Sequence, residues 1–223
     1  MTRTSRSSAA RSAGHTRDRI VDAAIDLLDA KGESGLTFRS LALKLETGHG
    51  AIQWHIANKG ELLAAATVKA LTRALTTPAP GTPPRPAIRA VALGVFTAID
   101  AHPWLGPQLF TAPWQPAMVG LWEQIGRPVE ELGVPEDSLF TAVSTLVSYI
   151  VGVGSQNAVN THSLAGHDKR DDFVGAVAAR WESLDPTEHP FVRRVAGQLR
   201  VHDDRVEFLA GIDIILSGLV APR

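Results

Sequence analysis

Residues 47 to 59 combine small residues with side chains that can bind a polyanion. His49, Gly50 and Ala51 are small or polar, as a helix requires where it approaches the edges of nucleic-acid bases. The amide of Gln53 can bind a phosphate or pair with N6 and N7 of adenine in the major groove. A helix over these residues can also bind an anion at its N-terminal end, because free N–H groups and the helix dipole favour phosphate contact there.

The spacing of apolar residues predicts the helices that position this segment. A first helix runs from about Thr16 to Gly32, with apolar residues at i, i+4, i+7 and i+8. A second helix starts at the capping residue Thr37, a third lies near residues 49 to 55, and a fourth begins around Lys59. Two short helices joined by a tight turn form a helix-turn-helix, although such corners also occur as purely structural features.

The charge of the chain is distributed unevenly. Residues 1 to 76 carry 11 Lys+Arg against 7 Asp+Glu, whereas residues 77 to 223 carry 11 against 16. The first part is therefore basic and the second acidic, although the whole chain has a formal charge of −1. A basic module favours a polyanionic partner, and a solvated basic face is the alternative.

The sequence around the helix-turn-helix carries a family resemblance. Residues 35 to 63, GLTFRSLALKLETGHGAIQWHIANKGELL, resemble the DNA-binding domain of the TetR family of bacterial transcription regulators, above all its tetracycline-repressor branch. A weaker similarity extends through AHPWL to EFLAGIDIILSGL, which resembles the family's last dimerisation helix. The resemblance implies a homodimer that binds a palindromic operator and responds to a small molecule. It implies contacts with double-stranded operator DNA from Thr37, Arg39, Thr47, Gly48, His49, Gly50, Ala51, Gln53, Trp54, His55 and Lys59.

Three positions depart from the family pattern. Glu46 stands where Gly is usual, Thr47 where an apolar residue is usual, and Gln53 where a Tyr usually grips the DNA backbone. Arg39 matches a family position that reaches a base edge, whereas Lys59 matches one beside the phosphates. The alternative for Arg39 is an ion pair with Glu46 across the turn.

Two groups of residues in the basic module have more than one possible role. Trp54 and His55 either pack inside the module or contact phosphate. An arginine-containing arm at the N-terminus either enters a minor groove or serves as a solubilising tail. The arginines concerned are Arg3, Arg6, Arg11 and Arg17.

A proline cluster over residues 76 to 86 divides the chain. No segment shows sustained period-two alternation, so the sequence predicts an all-α protein. The predicted parts are a disordered basic arm (1–15), a helix-turn-helix DNA-binding domain (16–76), a Pro-rich linker (77–86) and a helical ligand-binding and dimerisation domain (87–223). Helices of the last part are predicted at about 86–101, 114–132, 136–160, 170–184, 190–200 and 204–220.

The helix over 136 to 160 is apolar on almost every side, which predicts a central, surrounded position. One small or polar line interrupts it, and aromatic residues cluster between Trp104 and Trp122. These aromatics form either an ordinary core or the wall of a pocket whose polar groups orient a ligand. The pocket hypothesis assigns a hydrophobic or aromatic effector to Phe96, Trp104, Phe110, Trp114, Trp122, Tyr149, Gln156 and Asn160.

The last helix carries two apolar stripes, more than one packed side requires. The surplus stripe is expected to meet a second copy of the chain, with Gly211 and Gly218 allowing close approach. The alternative is that the chain's own helices cover both stripes. The predicted dimer residues are Val177, Trp181, Phe208, Leu209, Ile212, Ile215, Leu216 and Leu219, with Val220 continuing the second stripe.

Several function classes lack a signature in this sequence. The absence of cysteine excludes disulfides and thiolate chemistry, and no apolar run approaches the roughly 20 residues of a membrane helix. There is no phosphate loop, GxSxG or HExxH motif, so neither an enzyme nor a cofactor is predicted. His162, His167, Asp168 and Asp171 match no known metal spacing, so no metal site is predicted either. A cytoplasmic regulator is expected; the alternative is a helical small-molecule-binding or catalytic protein whose helix-turn-helix is only structural.

Overall fold

A computed structural model describes residues 3–75, 78–79, 81–111, 113–163 and 167–219. Its described secondary structure is helical throughout, in agreement with the predicted all-α class. The helices are α1 (Arg3–Gly35), α2 (Phe38–Lys44), α3 (His49–Gln53), α4 (Lys59–Ala74), α5 (Pro84–Ala101), α6 (Leu105–Thr111), α7 (Pro116–Glu131), α8 (Glu136–Ser163), α9 (His167–Glu182), α10 (Pro190–Leu199) and α11 (Asp204–Leu219).

The first module packs α1 and α4 around the short helices α2 and α3. Thr37 caps α2: its Oγ1 accepts a hydrogen bond from the backbone N–H of Ser40, and the Ser40 hydroxyl accepts one from the N–H of Thr37. Leu36 and Leu41 are fully buried on either side of this cap. Ile52 projects from α3 into the same core, so apolar burial fixes the angle at which α3 leaves the module.

The start of α1 differs from the prediction. The backbone is helical from Arg3, whereas the sequence predicts a disordered arm over residues 1–15. This segment contains no proline, and its alanines and arginines favour continuation of the helix toward the N-terminus. The side chains of Arg3, Arg6 and Arg11 lie outside the described part of the structure.

The linker also ends earlier than predicted. Pro84 and Pro86 lie in the first turn of α5, which Pro83 caps. Proline is tolerated there because the first turn has no intrahelical acceptors for its N–H groups. A further helix, α6, is absent from the sequence prediction, since Gly106 and Pro107 conceal its apolar pattern.

The body is built on α8, which packs against α5, α7, α6 and α11. Its segment Glu136–His162 is long and apolar enough, by length and composition, to cross a membrane. No such segment is expected from the sequence. The apolar residues of α8 that face its neighbours belong to the core of the body, among them Leu146 and Ile150.

The predicted central position of α8 is confirmed by its four neighbouring helices, but the prediction that it is surrounded is wrong. One face carries the exposed residues Thr141, Thr145, Ser148, Gln156 and Val159. The remaining helices α9 and α10 pack mainly against each other.

Candidate DNA interface and ligand cavity

The segment predicted to contact DNA forms a continuous exposed surface on the first module. Gly48 caps α3, whose small residues Gly50 and Ala51 leave its outer face open. His49 lies at the start of α3 with its ring 5.3 Å from that of Phe38. The predicted contact residues that are exposed are Thr37, Arg39, Thr47, Gly48, His49, Gly50, Ala51, Gln53 and Trp54, and those that are half-buried are His55 and Lys59.

The turn between α2 and α3 has a conformation that favours glycine at position 46, where this chain has glutamate. Glu46 has φ 51°, the left-handed region in which glycine is favoured. The turn is held by backbone hydrogen bonds from Glu46 N–H to Leu43 O and from Thr47 N–H to Ala42 O. Among the described side chains no ion pair joins Glu46 to Arg39, so the guanidinium of Arg39 is available on the exposed surface.

Trp54 does not pack inside the module. Its side chain is 87% exposed, whereas Ile52 and Ile56 on either side are buried. The interpretation that Trp54 packs inside the module is therefore wrong. Ile52 and Ile56 lie on the buried side of this segment, and Trp54 lies on the opposite side. An exposed indole directly after α3 presents a large apolar surface to a partner.

Lys59 is anchored at the first turn of α4. Its Nζ donates to the backbone carbonyl of Glu33 over 2.8 Å and lies 3.7 Å from the Glu33 carboxylate. Asn58 caps the same helix by accepting from the Glu61 N–H. Glu61 in turn accepts from the N–H of Ala57 and from Arg17, and these contacts lower the pKa of its carboxyl group.

Four of the predicted ligand contacts line one cavity in the body. Phe96, Tyr149, Gln156 and Asn160 surround a space of about 370 Å³ between α5, α8 and α11. A neighbouring cavity of about 560 Å³ shares Phe96 and three other lining residues with it. The polar line on α8 and the aromatic residue of α5 therefore meet at one place.

The other predicted ligand contacts lie elsewhere. Trp104 is buried at the junction with the first module, Phe110 and Trp114 are 56% and 76% exposed, and Trp122 packs on Phe140 with their rings 5.4 Å apart. The single aromatic cluster expected from their proximity in sequence does not form. The reason is that α6 and the turn after it separate residues that are adjacent in the chain.

The cavity has an aromatic wall. The rings of Phe96 and Phe208 stack with centroids 4.5 Å apart, and those of Tyr149 and Phe208 with centroids 5.7 Å apart. Tyr149 donates its hydroxyl hydrogen to the carbonyl of Phe208. Gly211 permits this contact, because a Cβ there would overlap the tyrosine oxygen.

Charged and amide groups surround this wall. Asp204 is paired with Arg170 at 2.5 Å and lies 2.8 Å from Nε2 of His202. Glu207 stands beside Tyr149: burial first, and then the negative charge of Glu207, raise the pKa of the tyrosine hydroxyl. The surface of the cavity is more polar than apolar, and its hydrogen-bonding groups, which can orient a ligand, adjoin the accessible part of the aromatic wall.

The body and the first module are joined by a hydrogen-bonded contact that sequence reasoning missed. Oδ1 of Asp29, near the end of α1, accepts from Trp104 Nε1 at 2.7 Å and lies 2.8 Å from His102 Nδ1. One turn later, the Glu33 carboxylate accepts from the amide of Gln108 on α6 at 2.9 Å. The signal in the sequence is the AHPWL segment, which the resemblance places near this junction.

Several residues expected at a dimer interface lie inside the protomer. Phe208, Ile212 and Leu216 are at most 1% exposed and pack in the chain's own core. The prediction that they meet a partner is wrong, since α5 and α8 already cover that stripe. Leu209, Ile215 and Leu219 are half-buried against the same core, Val177 and Trp181 are half-buried on α9, and Val220 lies outside the described residues.

A different face of α11 is exposed. Ile214 is 74% exposed and Val206 is 63% exposed. Gly218 lines a groove with Thr141 and Thr145 of α8, so the exposed faces of α8 and α11 adjoin each other. The residue that sequence reasoning missed is Ile214, which belongs to neither predicted stripe.

No cluster of three or more metal-ligating side chains occurs among the described residues. His162 hydrogen-bonds through Nδ1 with the carbonyl of Ala158. Asp171 is exposed, and the side chains of His167 and Asp168 lie outside the described part of the chain.

Comparisons with solved structures and with curated proteins both find transcription regulators. No family model matches the chain. A solved structure of the transcriptional regulator SCO7222, a TetR from Streptomyces coelicolor, is 50% identical, covers 92% of this chain and 97% of that one, and superimposes with a TM-score of 0.84. The ActR protein of Streptomyces coelicolor, solved in complex with actinorhodin, is 25% identical over 92% of this chain and 95% of its own, with a TM-score of 0.77.

Among curated proteins, the HTH-type transcriptional repressor DrrR1 of Streptomyces coeruleorubidus is 30% identical over 142 residues. That match covers 61% of this chain and 52% of the relative, so it spans about half of the relative's length.

Proposed function

The chain belongs to the TetR family of transcriptional regulators, and from that membership we propose that it represses transcription through the surface formed by α2, α3 and the first turn of α4. It is a ligand-responsive DNA-binding regulator that acts as a homodimer on operator DNA.

One observation carries the assignment of the DNA surface. The outer side of α3 exposes the small residues Gly50 and Ala51 close to the exposed side chains of Gln53 and Trp54, while Ile52 holds the helix in the module from its inner side. A helix with such a face fits the major groove, which is wide enough to admit it. We assign base contacts to Arg39 and Gln53 and phosphate contact to Lys59. The other predicted contact residues lie on the same surface, around Arg39, Gln53 and Lys59.

The effector is placed in the cavity between α5, α8 and α11. Phe96, Tyr149, Gln156 and Asn160 supply an aromatic wall and polar groups there. A ligand changes operator affinity only if it binds the operator-bound and free conformations differently. The cavity is suited to this effect because α5 runs close to the end of α4: a Cβ at Gly94 would lie 3.1 Å from the carbonyl of Ala74.

We place the dimer on the part of the exposed surface where Thr141 and Thr145 of α8 adjoin Gly218 of α11. Ile214, one helical turn before Gly218, is the large exposed apolar residue of this part of α11, and Thr145 and Gly218 are small enough for close helix packing. A two-fold axis through this face would present two DNA surfaces to the two halves of a palindromic site.

The relatives of this chain are regulators of transcription and not enzymes. We extend this to the chain itself and propose that it has no catalytic activity and works in the cytoplasm. A purely structural helix-turn-helix is disfavoured, because a structural corner has no need to leave an indole 87% exposed.

The test is a salt titration of binding to the DNA that flanks the protein's own gene. Each phosphate contact that releases a counterion makes the slope of log affinity against log salt more negative by about 0.9. The proposal requires a steep negative slope with specific DNA. Absence of binding, or an affinity independent of salt, would contradict it.

A further inference from the structure

We propose that the cavity between α5, α8 and α11 binds a planar aromatic molecule that carries a positive charge. This inference deepens the proposed function, on which it rests, because it names the chemical class of the effector. It is derived from the wall of the cavity, from its charges and from one carboxylate that the protein leaves without an ion pair among the described residues.

The aromatic wall is suited to a flat ligand. Tyr149 and Phe208 are within 13° of parallel, and Phe96 and Phe208 within 28°, so the three rings form one stack. Phe208 and Phe96 are buried, whereas Tyr149 is half-buried and contributes the accessible part of the stack. A planar ring system that extends this stack gains both apolar burial and offset stacking.

The charge of the cavity selects among such molecules. The described lining of the smaller space includes the carboxylates of Asp204 and Glu207 and contains neither lysine nor arginine. Gln156, Asn157 and Asn160 add amide groups, and His202 adds an imidazole. A carboxylate that keeps its charge here would repel an anionic ligand and attract a cation.

The two carboxylates differ in what they already bind. Asp204 is paired with Arg170 and lies beside His202, so its charge is largely compensated within the protein. Glu207 makes no ion pair or side-chain hydrogen bond with the described residues, although its charge acts on Tyr149. Glu207 is therefore the group that a ligand cation would meet, next to the ring on which the aromatic part would stack.

This arrangement amounts to recognition at two points. The flat part of the ligand lies on the aromatic stack, while its ammonium or iminium group lies between Glu207 and the face of Tyr149. A cation held between a carboxylate and an aromatic face is stabilised by both a charge-assisted hydrogen bond and a cation–π interaction. A neutral molecule of the same shape retains only the stacking.

The adjoining cavity continues the same character. Its lining includes three further carboxylates, from Asp100, Asp171 and Asp203, against the guanidinium groups of Arg170 and Arg205. Asp100 accepts from the Asn157 amide, and Asp203 caps the start of α11. A ligand longer than one ring system can therefore extend into the second space without meeting excess positive charge.

The experiment compares three probes of one shape by isothermal titration calorimetry with the full-length protein in the absence of DNA. The probes are 9-aminoacridine as the cation, acridine as the neutral molecule and anthracene-9-carboxylate as the anion, near neutral pH. We expect the cation to bind about tenfold more tightly than the neutral probe and the anion to bind most weakly.

Three variants locate the binding. Glu207→Gln should lower the affinity for the cation to about that of acridine and leave acridine itself unchanged. Phe96→Leu should weaken both probes, because it removes one ring of the stack. Tyr149→Leu, which removes the accessible ring, should weaken both probes more than Phe96→Leu does. As a control, Glu130→Gln removes an exposed carboxylate at the end of α7 and should alter neither affinity.

The outcomes separate this inference from the function on which it rests. No binding of 9-aminoacridine, equal binding of all three probes, or unchanged cation binding by Glu207→Gln would overturn the inference. Operator binding by the wild-type protein, measured separately, tests the proposed function. If operator binding holds while the probe series fails, the effector belongs to another chemical class.

Discussion

The indole N–H of Trp104 donates to the carboxylate of Asp29 over 2.7 Å, and these two residues belong to different modules. Asp29 lies on α1 of the DNA-binding module, whereas Trp104 precedes α6 of the body. Trp104 is only 8% exposed, so its N–H has no ready access to water in place of this acceptor. The contact thus couples the position of α6 to that of α1.

We predict that Asp29→Ala costs about 1–3 kcal/mol of unfolding free energy, because it leaves a buried donor without a partner. Chemical denaturation followed by circular dichroism measures this change. Asp26→Ala is the matched control: Asp26 pairs with Lys44 at a more exposed place on α1, and its removal should cost at most about 1 kcal/mol. Equal costs for the two variants would mean that the Trp104 hydrogen bond does not stabilise the junction.

A second prediction concerns Trp54. Trp54→Ala should lower operator affinity by about tenfold or more and change the unfolding free energy by less than about 0.5 kcal/mol, since the side chain is 87% exposed. Fluorescence anisotropy with labelled operator and a denaturation curve measure the two quantities. Val201→Ala, at a residue that is 84% exposed beyond α10, should change neither. Reduced stability with unchanged operator affinity would show that Trp54 stabilises the fold and does not contact the operator.

A third prediction separates base reading from phosphate contact. Arg39→Ala should relax the preference for one base in each half-site, because a bidentate arginine discriminates guanine by roughly 1–3 kcal/mol. Lys59→Ala should weaken binding to all sequences about equally and reduce the salt slope by about one unit for each phosphate that the lysine neutralises. Binding to a panel of single-base operator variants distinguishes them. An unchanged preference profile for Arg39→Ala would exclude its role in base reading.

A fourth prediction tests the dimer face. Ile214→Glu should shift the protein toward monomer at micromolar concentration, because it places a charge in the proposed interface. Sedimentation velocity measures the change. Val201→Glu introduces the same charge at a comparably exposed residue and should leave the dimer intact. If Ile214→Glu remained a dimer, as Val201→Glu is expected to do, the interface would lie elsewhere.

A fifth prediction follows from the capping carboxylate of Glu61. The Ala57 N–H and then Arg17 lower its pKa below 4.5 in the folded protein, so its contribution to stability is present above pH 4.5 and disappears as the pH falls through the lowered pKa. Glu61→Gln should therefore make stability less sensitive to acidification below pH 4.5. Thermal unfolding across that pH range tests this, with Glu130→Gln as the control. An identical pH profile for Glu61→Gln and the wild type would refute it.

The sequence predicts the first module well because local signals there agree with one another. The Thr37 cap, the helical period through Ile52 and Ile56, and the charge balance all indicate the same arrangement, and the family resemblance of residues 35 to 63 is confirmed by the 50% identical regulator. Glu46 shows why this part is robust: the left-handed turn persists without its usual glycine.

The body is predicted less accurately because its contacts are remote in sequence. Periodicity reveals that Phe208 and Ile214 lie on an apolar helix, but it does not say which side α5 and α8 cover. Similarly, the tryptophans are close to one another in the chain, yet they lie on either side of α6. Trp104, before α6, donates to Asp29, whereas Trp114, after α6, is exposed. Three residues of the polar line on α8, Tyr149, Gln156 and Asn160, do share one cavity, because they lie on one helix and periodicity alone relates them to one another.

Selection of bound sequences from random double-stranded DNA by the full-length protein tests the central claim most directly. If α3 and its flanking residues read an operator as a dimer, the enriched sequences contain two inverted half-sites, and the Arg39→Ala protein selects the same palindrome with one base position relaxed in each half. Enrichment of no common sequence by the wild-type protein, or of an identical profile by both proteins, would contradict this function.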